Sequence, residues 1–148
     1  TSAEFAYFGE KDWQQLQVVR RMVADLHLPV EVLGVPTVRA DDGLALSSRN
    51  ALLTPEERMR APALYRQMIA SAAAIATGEP VSPRLAAARA TLAVEGFVVD
   101  YLDLVYGPSL RPLTVPAPGV RLIAAARLGA VRLLDNVAVT ISGKAANP

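Results

Sequence analysis

The chain of 148 residues contains no cysteine, a single histidine and few aromatic side chains. The lack of cysteine excludes disulfides and thiolate metal sites, and it is typical of a cytoplasmic protein. Because aromatic residues make up only 5% of the chain, the core must consist mostly of Ala, Val and Leu. No stretch approaches the roughly 18 uninterrupted apolar residues of a membrane-spanning helix, and residues 1–8 lack the pattern of a signal peptide. We therefore expect a cytoplasmic protein that does not cross a membrane.

An excess of charge of one sign is missing as well. The 15 basic and 14 acidic residues leave a formal net charge of +1. This balance provides no basic surface for nucleic acid or an anionic membrane, so any positive potential must be local. An apolar fraction of 52% with 20% charged residues is typical of a globular chain. The composition thus favours small-molecule partners over nucleic acid or membrane.

Residues 1–37 have the pattern of a βαβ unit. A short apolar run at residues 6–8 precedes a helix for which Asp12 and Gln15 have the spacing of a capping box, and residues 30–35 form a second apolar run. Strand, helix and strand in this order predict a parallel sheet with a right-handed crossover. Since one such unit cannot cover both faces of a sheet, we interpret the segment as the end of a larger, doubly wound (Rossmann-like) nucleotide-binding domain.

The predicted helix of this unit has one apolar face and a proline stop. Pro29 is expected to end the helix. The only histidine, His27, lies alone near that end, and we interpret it as structural or solvent-facing. The apolar face consists of Trp13, Leu16, Val19, Val23 and Leu26.

Residues 38–148 predict a small α+β domain with an antiparallel sheet. Thr54-Pro55 with Glu57 is typical of a helix start, Pro62 should kink or restart that helix, and Gly78 should end it. A further alanine-rich helix is expected from Ser82-Pro83 to Gly96. Three strands should follow, at residues 97–105, 120–126 and 131–141, with a hairpin turn at Gly129. Residues 143–148 are expected to form a frayed tail.

The first polar cluster, residues 8–15, lies where an open α/β sheet places its ligand crevice. Gly9 follows a strand and precedes a helix, so backbone N–H groups there can approach a phosphate. Lys11 adds a mobile charge suited to a polyphosphate, and the amide of Gln15 can both donate to and accept from a hydroxy acid. The alternative stays open on spacing alone: Gly9 forms a turn, Lys11 is solvated, and Asp12 with Gln15 only caps the helix.

The second polar cluster, residues 44–50, follows the last parallel strand. The adjacent hydroxyls of Ser47 and Ser48 and the guanidinium of Arg49 can clamp nucleotide phosphates and follow their charge as pyrophosphate leaves. Gly43, just before the cluster, would act as the flexible hinge of a closing loop. The alternative is a polar turn with Arg49 exposed to solvent.

The two clusters, together with further segments, resemble the pantothenate synthetase (pantoate–beta-alanine ligase) family, in its C-terminal half. The resemblance implies that ATP and pantoate give a pantoyl adenylate and pyrophosphate, and that beta-alanine then attacks to give pantothenate and AMP. The Ser-Ser-Arg run is also similar to the signature loop of class I aminoacyl-tRNA synthetases, but a net charge of +1 disfavours a tRNA-binding fragment. The matching segments are residues 8–15, 34–37, 43–50, 124–129 and 132–136.

The resemblance also implies roles for single residues. Gln15 would bind pantoate, whereas ATP would be bound by Gly9, Glu10, Lys11, Asp12, Val38, Leu46, Ser47, Ser48 and Arg49. Of these, Lys11, Ser47, Ser48 and Arg49 would be catalytic. Leu46 stands where family members often have Met, and Trp13 where they have Phe or Tyr, and both changes conserve volume well enough.

The resemblance further implies that some parts of the active site lie outside these residues. A paired-histidine motif, a second pantoate glutamine and the ligands of the Mg²⁺ that accompanies ATP belong to the family's N-terminal half, as does the contact that makes the full-length enzyme a homodimer. We therefore expect residues 1–37 to complete a nucleotide-binding domain and residues 38–148 to form a C-terminal lid. Two functions stay open: part of an ATP-dependent acid–amine ligase that is inactive alone, or an isolated non-catalytic module with weak or no nucleotide binding.

Overall fold

The computed structural model describes residues 3–141, so the predicted tail at residues 143–148 lies outside the described residues. Strand β1 (Phe5–Gly9) leads through a 3-10 turn (Glu10–Asp12) into helix α1 (Trp13–Asp25), and strand β2 (Glu31–Val35) follows. The two strands pair in parallel, with Phe5 opposite Glu31, which confirms the predicted parallel pairing. The chain is therefore α/β at this end.

The start of α1 differs from the prediction. Asp12 occupies the N-cap position with φ −95° and ψ 62°, and its side chain makes no capping hydrogen bond. The capping box of Asp12 and Gln15 is thus wrong, because the preceding 3-10 turn already winds the chain into the helix and leaves Gln15 exposed.

The end of α1 is set by a left-handed residue and not by Pro29. His27 has φ +50°, and its N–H donates to the carbonyl of Ala24 at 3.2 Å. The N–H of Leu28 donates to the carbonyl of Val23 at 3.0 Å, so the two bonds form a Schellman motif. The helix is closed before the proline is reached.

The helices of the second region follow the predicted signals closely. Helix α2 spans Pro55–Arg60, helix α3 spans Ala63–Ala76, and the chain restarts between them at Pro62. Thr54 and Glu57 form the predicted capping box, with Thr54 N–H donating to Glu57 Oε2 at 2.8 Å and Glu57 N–H donating to Thr54 Oγ1 at 3.2 Å. Helix α4 spans Val81–Val94 and begins slightly earlier than expected, so Ser82-Pro83 lies inside its first turn.

Strands β3 (Phe97–Tyr106), β4 (Val120–Leu128) and β5 (Val131–Ala138) form an antiparallel sheet in the order β3-β4-β5. Gly129 has φ +57° in the tight turn between β4 and β5, as its predicted hairpin role requires. Strand β4 runs further than predicted and β5 ends earlier, at Ala138. The predicted antiparallel sheet is confirmed.

This sheet has helices on one face and the first polar cluster on the other. The buried core lies between the sheet and helices α3 and α4, and it consists mainly of Leu, Ala and Val side chains, as the low aromatic content predicts. The opposite face presents Tyr101, Arg121 and Asn136 toward the turn before α1. The sheet therefore forms one wall of the space beside the first cluster.

The parallel pair is much less covered than the antiparallel sheet. Phe5 and Tyr7 of β1 are 49% and 67% exposed, and Val35 of β2 is 42% exposed. Across residues 3–141, no helix combines the length and the apolar character that crossing a bilayer would require. Within the described residues, the parallel pair has no further strand beside it.

Candidate active site

The first cluster surrounds an open space at the carboxyl end of β1. A Cβ atom built on Gly9 would meet no atom within 4 Å, so a ligand has room to approach the backbone there. The Glu10 side chain instead folds over β2, where a Cβ on Gly34 would lie 2.8 Å from Glu10 Oε1. Gly34 thus leaves the room that the Glu10 side chain occupies beside the strand.

A cavity of about 180 Å³ lies between the start of α1 and the antiparallel sheet. Lys11, Asp12 and Gln15 line it from the first cluster, and Tyr101 and Asn136 line it from the sheet. Three of the residues that the sequence singles out in this cluster therefore share one concave wall, which polar and apolar side chains form together.

A narrow crevice adjoins this cavity and reaches the second cluster. Lys11 lines both spaces, and Ser47, Asn50 and Arg132 line the crevice together with Asp135. Because Lys11 is only 17% exposed, its ammonium group lies within the protein wall, 4.0 Å from Asp12 Oδ1. The fold thus brings Ser47 to a space that adjoins the cavity of Lys11 and Gln15, although it is distant from them in sequence.

Four other residues that the resemblance assigns to ATP do not line these spaces. Val38 and Leu46 are 64% and 52% exposed, and Ser48 and Arg49 also lie on the surface. Ser47 Oγ accepts a hydrogen bond from the N–H of Arg49 at 3.3 Å and so caps the 3-10 turn Ser48–Leu52. In this conformation the segment is an ordered polar turn at the rim of the crevice.

Gly43 is not a loose hinge but part of a tight turn. The N–H of Ala40 donates to the carbonyl of Leu44 at 2.9 Å, and the N–H of Gly43 donates to the carbonyl of Ala40 at 2.8 Å. Gly43 has φ +91°, and a Cβ there would lie 2.5 Å from the ring of Tyr65. The glycine is therefore required by backbone conformation and packing, which corrects the expected flexible hinge.

A partly buried ion pair between residues far apart in the sequence anchors this turn. Arg39 donates to both carboxylate oxygens of Asp135, at 2.6 and 2.8 Å, and to the carbonyl of Gly43 at 3.1 Å. Its guanidinium also stacks on the Tyr65 ring, 3.7 Å from the centroid. Burial alone would lower the pKa of Arg39, but the hydrogen bonds and charge of Asp135 outweigh it and raise that pKa.

Asn136, the next residue of β5, holds the first cluster. Its Nδ2 donates to the main-chain carbonyls of Glu10 at 2.7 Å and Lys11 at 2.9 Å. Arg121 donates to Asn136 Oδ1 and stacks on the Trp13 ring, 3.8 Å from its centroid. Burial lowers the pKa of Arg121, opposed by the charge of Glu10. The signal available in the sequence was a polar pair, Asp135-Asn136, inside an apolar strand.

Two further contacts fix the wall of the cavity. Trp13 Nε1 donates to the carbonyl of Gly107 at 2.8 Å, and Tyr101 OH donates to Gln14 Oε1 at 3.0 Å. Burial raises the pKa of Tyr101 above its ordinary value. Of the two adjacent glutamines, which both line the cavity, Gln14 is thus tied to the sheet through its Oε1.

Neither histidine nor metal chemistry is found at the site among the described residues. His27 is exposed at the end of α1, consistent with the solvent-facing interpretation. Within residues 3–141, no group of three or more His, Asp or Glu side chains could hold a metal ion.

Comparison with known proteins identifies a family for nearly the whole chain. The family model for pantoate-beta-alanine ligase matches residues 1–138. The pantothenate synthetase of Acidiphilium cryptum is 59% identical over 134 residues, which cover 90% of this chain and 48% of that protein. The pantothenate synthetase of Rhizorhabdus wittichii is 57% identical over 137 residues, which cover 92% of this chain and 49% of that protein. The chain thus spans about half the length of the curated relatives it matches.

Solved structures show the same similarity. The pantothenate synthetase of Thermus thermophilus superposes with a TM-score of 0.86 at 52% identity, over 92% of this chain and 50% of that one. The pantoate-beta-alanine ligase of Francisella tularensis, in complex with beta-gamma ATP and beta-alanine, has a TM-score of 0.66 at 27% identity, over 90% and 43% of the two chains. These shares give how much of the relatives is matched and not which part, so the assignment to the C-terminal half stays a prediction.

Proposed function

Because the chain belongs to the pantoate-beta-alanine ligase family, we propose that it is part of an ATP-dependent ligase that joins pantoate and beta-alanine to give pantothenate. The reaction would pass through a pantoyl adenylate, with release of pyrophosphate and then AMP. The observation that carries the proposal is the position of Lys11, which lines both the cavity that contains Gln15 and the crevice that contains Ser47.

The nucleotide side of the proposed site is the junction around Lys11. A cation that is mostly enclosed by protein interacts more strongly with a phosphate than one in bulk water. Gly9 leaves free space beside its backbone, and Ser47 lines the crevice together with Lys11. We assign the phosphates to Lys11 and Ser47, and further nucleotide contacts to Gly9, Glu10 and Asp12.

The loop that carries the other assigned residues would have to move inward. Leu46, Ser48 and Arg49 are exposed, so a nucleotide contact from them requires the polar turn to close over the phosphates. Since the conformation of Gly43 and its packing fix the base of this turn, the movement is assigned to the residues after it. Arg49 would then neutralise the charge of the departing pyrophosphate.

The pantoate side is the cavity next to Lys11. Gln15 offers both donors and an acceptor there, and a pantoate carboxylate placed beside it would lie near the phosphates bound at Lys11. The site would then hold the pantoate carboxylate and the ATP phosphates next to each other. Because no general acid or base is assigned here, this positioning would be the main contribution of the site to the reaction rate.

Further parts of the proposal concern the complete enzyme. We propose residues 1–37 as the end of a doubly wound nucleotide-binding domain and residues 38–148 as a C-terminal lid domain. The Mg²⁺ ligands, the paired histidines and the homodimer contact would be supplied outside these residues, and the location would be cytoplasmic. A polypeptide of only residues 1–148 should therefore make no pantothenate in a coupled AMP-release assay.

The test is made in a full-length enzyme that carries this sequence, by pre-steady-state pyrophosphate release with ATP and pantoate varied. Lys11→Ala and Arg49→Ala should slow this step, whereas Gln15→Ala should raise the pantoate concentration required. Ser47→Ala should cost only about 0.5–1.5 kcal/mol, because it removes one neutral hydrogen bond and the Ser48 hydroxyl remains next to it.

Matched controls lie on helix α3, outside both spaces. Arg66→Ala removes an exposed cation and Gln67→Ala removes an amide, and neither should change pyrophosphate release. If Lys11→Ala leaves this step unchanged, or if Gln15→Ala alters only the ATP dependence, the proposed roles are wrong.

A further inference from the structure

Strand β5 carries two adjacent buried polar residues that point to opposite faces of the sheet. Asp135 and Asn136 are 6% and 4% exposed, and successive residues of a strand alternate in direction. Asp135 binds Arg39, which also binds the carbonyl of Gly43 at the base of the second cluster. Asn136 binds the main chain of the first cluster. One rigid strand therefore holds both clusters.

The carboxamide of Asn136 is fully used and held from both ends. Its amino group donates to the carbonyls of Glu10 and Lys11, and its oxygen accepts from Arg121. Carbonyl oxygens only accept hydrogen bonds, so the amide nitrogen of Asn136 must face the two carbonyls. The orientation of the amide therefore follows from its partners. The side chain thus works as a fixed clamp on two consecutive peptide groups.

The clamped turn has little support of its own. Glu10–Asp12 is a single 3-10 turn, and neither it nor α1 has a side-chain capping bond at its N-cap. A turn of this length does not hold its own geometry. The direction in which the Lys11 side chain leaves the backbone therefore depends on contacts from outside, and Asn136 provides two of them.

We propose that Asn136 is a positioning residue, which holds the main chain of Lys11 so that the ammonium group serves the crevice and the cavity together. This inference rests on the proposed function, because the benefit of a fixed Lys11 lies in binding the nucleotide phosphates. Asn136 also lines the cavity, but its role is to act through Lys11 and not to contact the substrate.

The test is a double-mutant cycle in the full-length enzyme, with Asn136→Asp and Lys11→Ala. Aspartate keeps the size of asparagine and the acceptor for Arg121, but it removes both donors and places carboxylate oxygen against two carbonyls. Pyrophosphate release should fall about 10- to 100-fold, because a displacement of about 1 Å can cost that much. In the Lys11→Ala background, Asn136→Asp should slow pyrophosphate release less than about 3-fold, because the Lys11 side chain through which Asn136 acts is already absent.

A merely structural residue would not give this pattern. Ser71→Ala is the matched control, because Ser71 is fully buried on α3 and accepts from Arg84 at 3.2 Å, outside both spaces. It should lower the unfolding midpoint and leave pyrophosphate release unchanged. If Asn136→Asp does not fold, Asn136→Ala replaces it in the same cycle.

The outcomes separate the two proposals. If Asn136→Asp slows pyrophosphate release by the same factor with and without the Lys11 side chain, or does not slow it in either background, the positioning role is overturned. The proposed roles of Lys11 stand in that case. If Lys11→Ala itself leaves pyrophosphate release unchanged, the proposed function of Lys11 fails, and the positioning role fails with it.

Discussion

Removing Asp135 should destabilise the protein strongly, because it leaves a partly buried arginine without its charged partner. The side chains of Arg39 and Asp135 are only 18% and 5% exposed and share two hydrogen bonds at 2.6 and 2.8 Å. Breaking such a pair from one side costs about 3–5 kcal/mol. In Asp135→Ala the Arg39 guanidinium keeps its contacts with the Gly43 carbonyl and the Tyr65 ring. We therefore expect the free energy of unfolding to fall by about 3 kcal/mol, at the lower end of this range.

The reverse change should cost more. In Arg39→Ala the more deeply buried Asp135 keeps only the Asn136 N–H, which donates to Oδ1 at 2.7 Å. We expect about 4–5 kcal/mol for this variant. The double variant Arg39→Met with Asp135→Leu should cost less than either single change, because apolar groups replace both charges and neither is left unpaired.

Urea unfolding of the 148-residue chain, followed by far-ultraviolet circular dichroism, measures these differences. With a slope of about 1–3 kcal/mol per molar urea, Asp135→Ala should lower the midpoint by about 1 M or more. Asp103→Ala is the control, because Asp103 and its partner Arg89 are 48% and 41% exposed, and it should cost less than about 1 kcal/mol. A cost below about 1 kcal/mol for Asp135→Ala, or additive costs in the double variant, would refute the reasoning.

Three further outcomes are expected. Gly43→Ala should lower the free energy of unfolding in urea by about 2–4 kcal/mol, because Gly43 has a positive φ and a tyrosine ring would lie 2.5 Å from the new Cβ. Gly78→Ala is the control, because Gly78 has a positive φ but free space around it, and it should cost about 1–2 kcal/mol. The hydrogen bond from Arg58 holds the pKa of Asp42 in the folded protein below its ordinary value. The contribution of Asp42 to the free energy of unfolding is therefore present above about pH 4 and is lost as the pH falls through the pKa of the folded protein. Asp42→Asn should flatten this loss of unfolding free energy in acid. Limited proteolysis should cut first within or just after residues 1–37, or in the polar turn after Gly43, and protection of that N-terminal segment in a demonstrated monomer would contradict its interpretation as an uncovered part of a larger sheet.

Local signals account for the parts of the fold that were predicted correctly. The capping box of Thr54 and Glu57 involves neighbours in sequence, and the pair Ala61-Pro62 breaks the helix by backbone geometry alone. The parallel pairing of β1 and β2 follows from the order strand, helix, strand. The end of α1 was missed, because the left-handed conformation of His27 carries no compulsory residue type, as a glycine would have signalled.

The same division applies to the candidate site. The sequence singled out Lys11, Gln15 and Ser47 because the residue types and their place after strands suit phosphates and a hydroxy acid. It offered no means of finding the partners of β5, because Asp135 meets Arg39 across 96 positions and Asn136 meets Lys11 across 125.

What the sequence by itself determined was the set of elements, the two polar clusters and the family to which they belong. Whether Asp12 caps a helix, whether Gly43 moves or is packed, and which residues hold the clusters together were decided only by the tertiary structure. The physical reason is that these properties depend on hydrogen bonds and packing between segments distant in the chain, whereas caps, turns and strand runs depend on a few neighbouring residues.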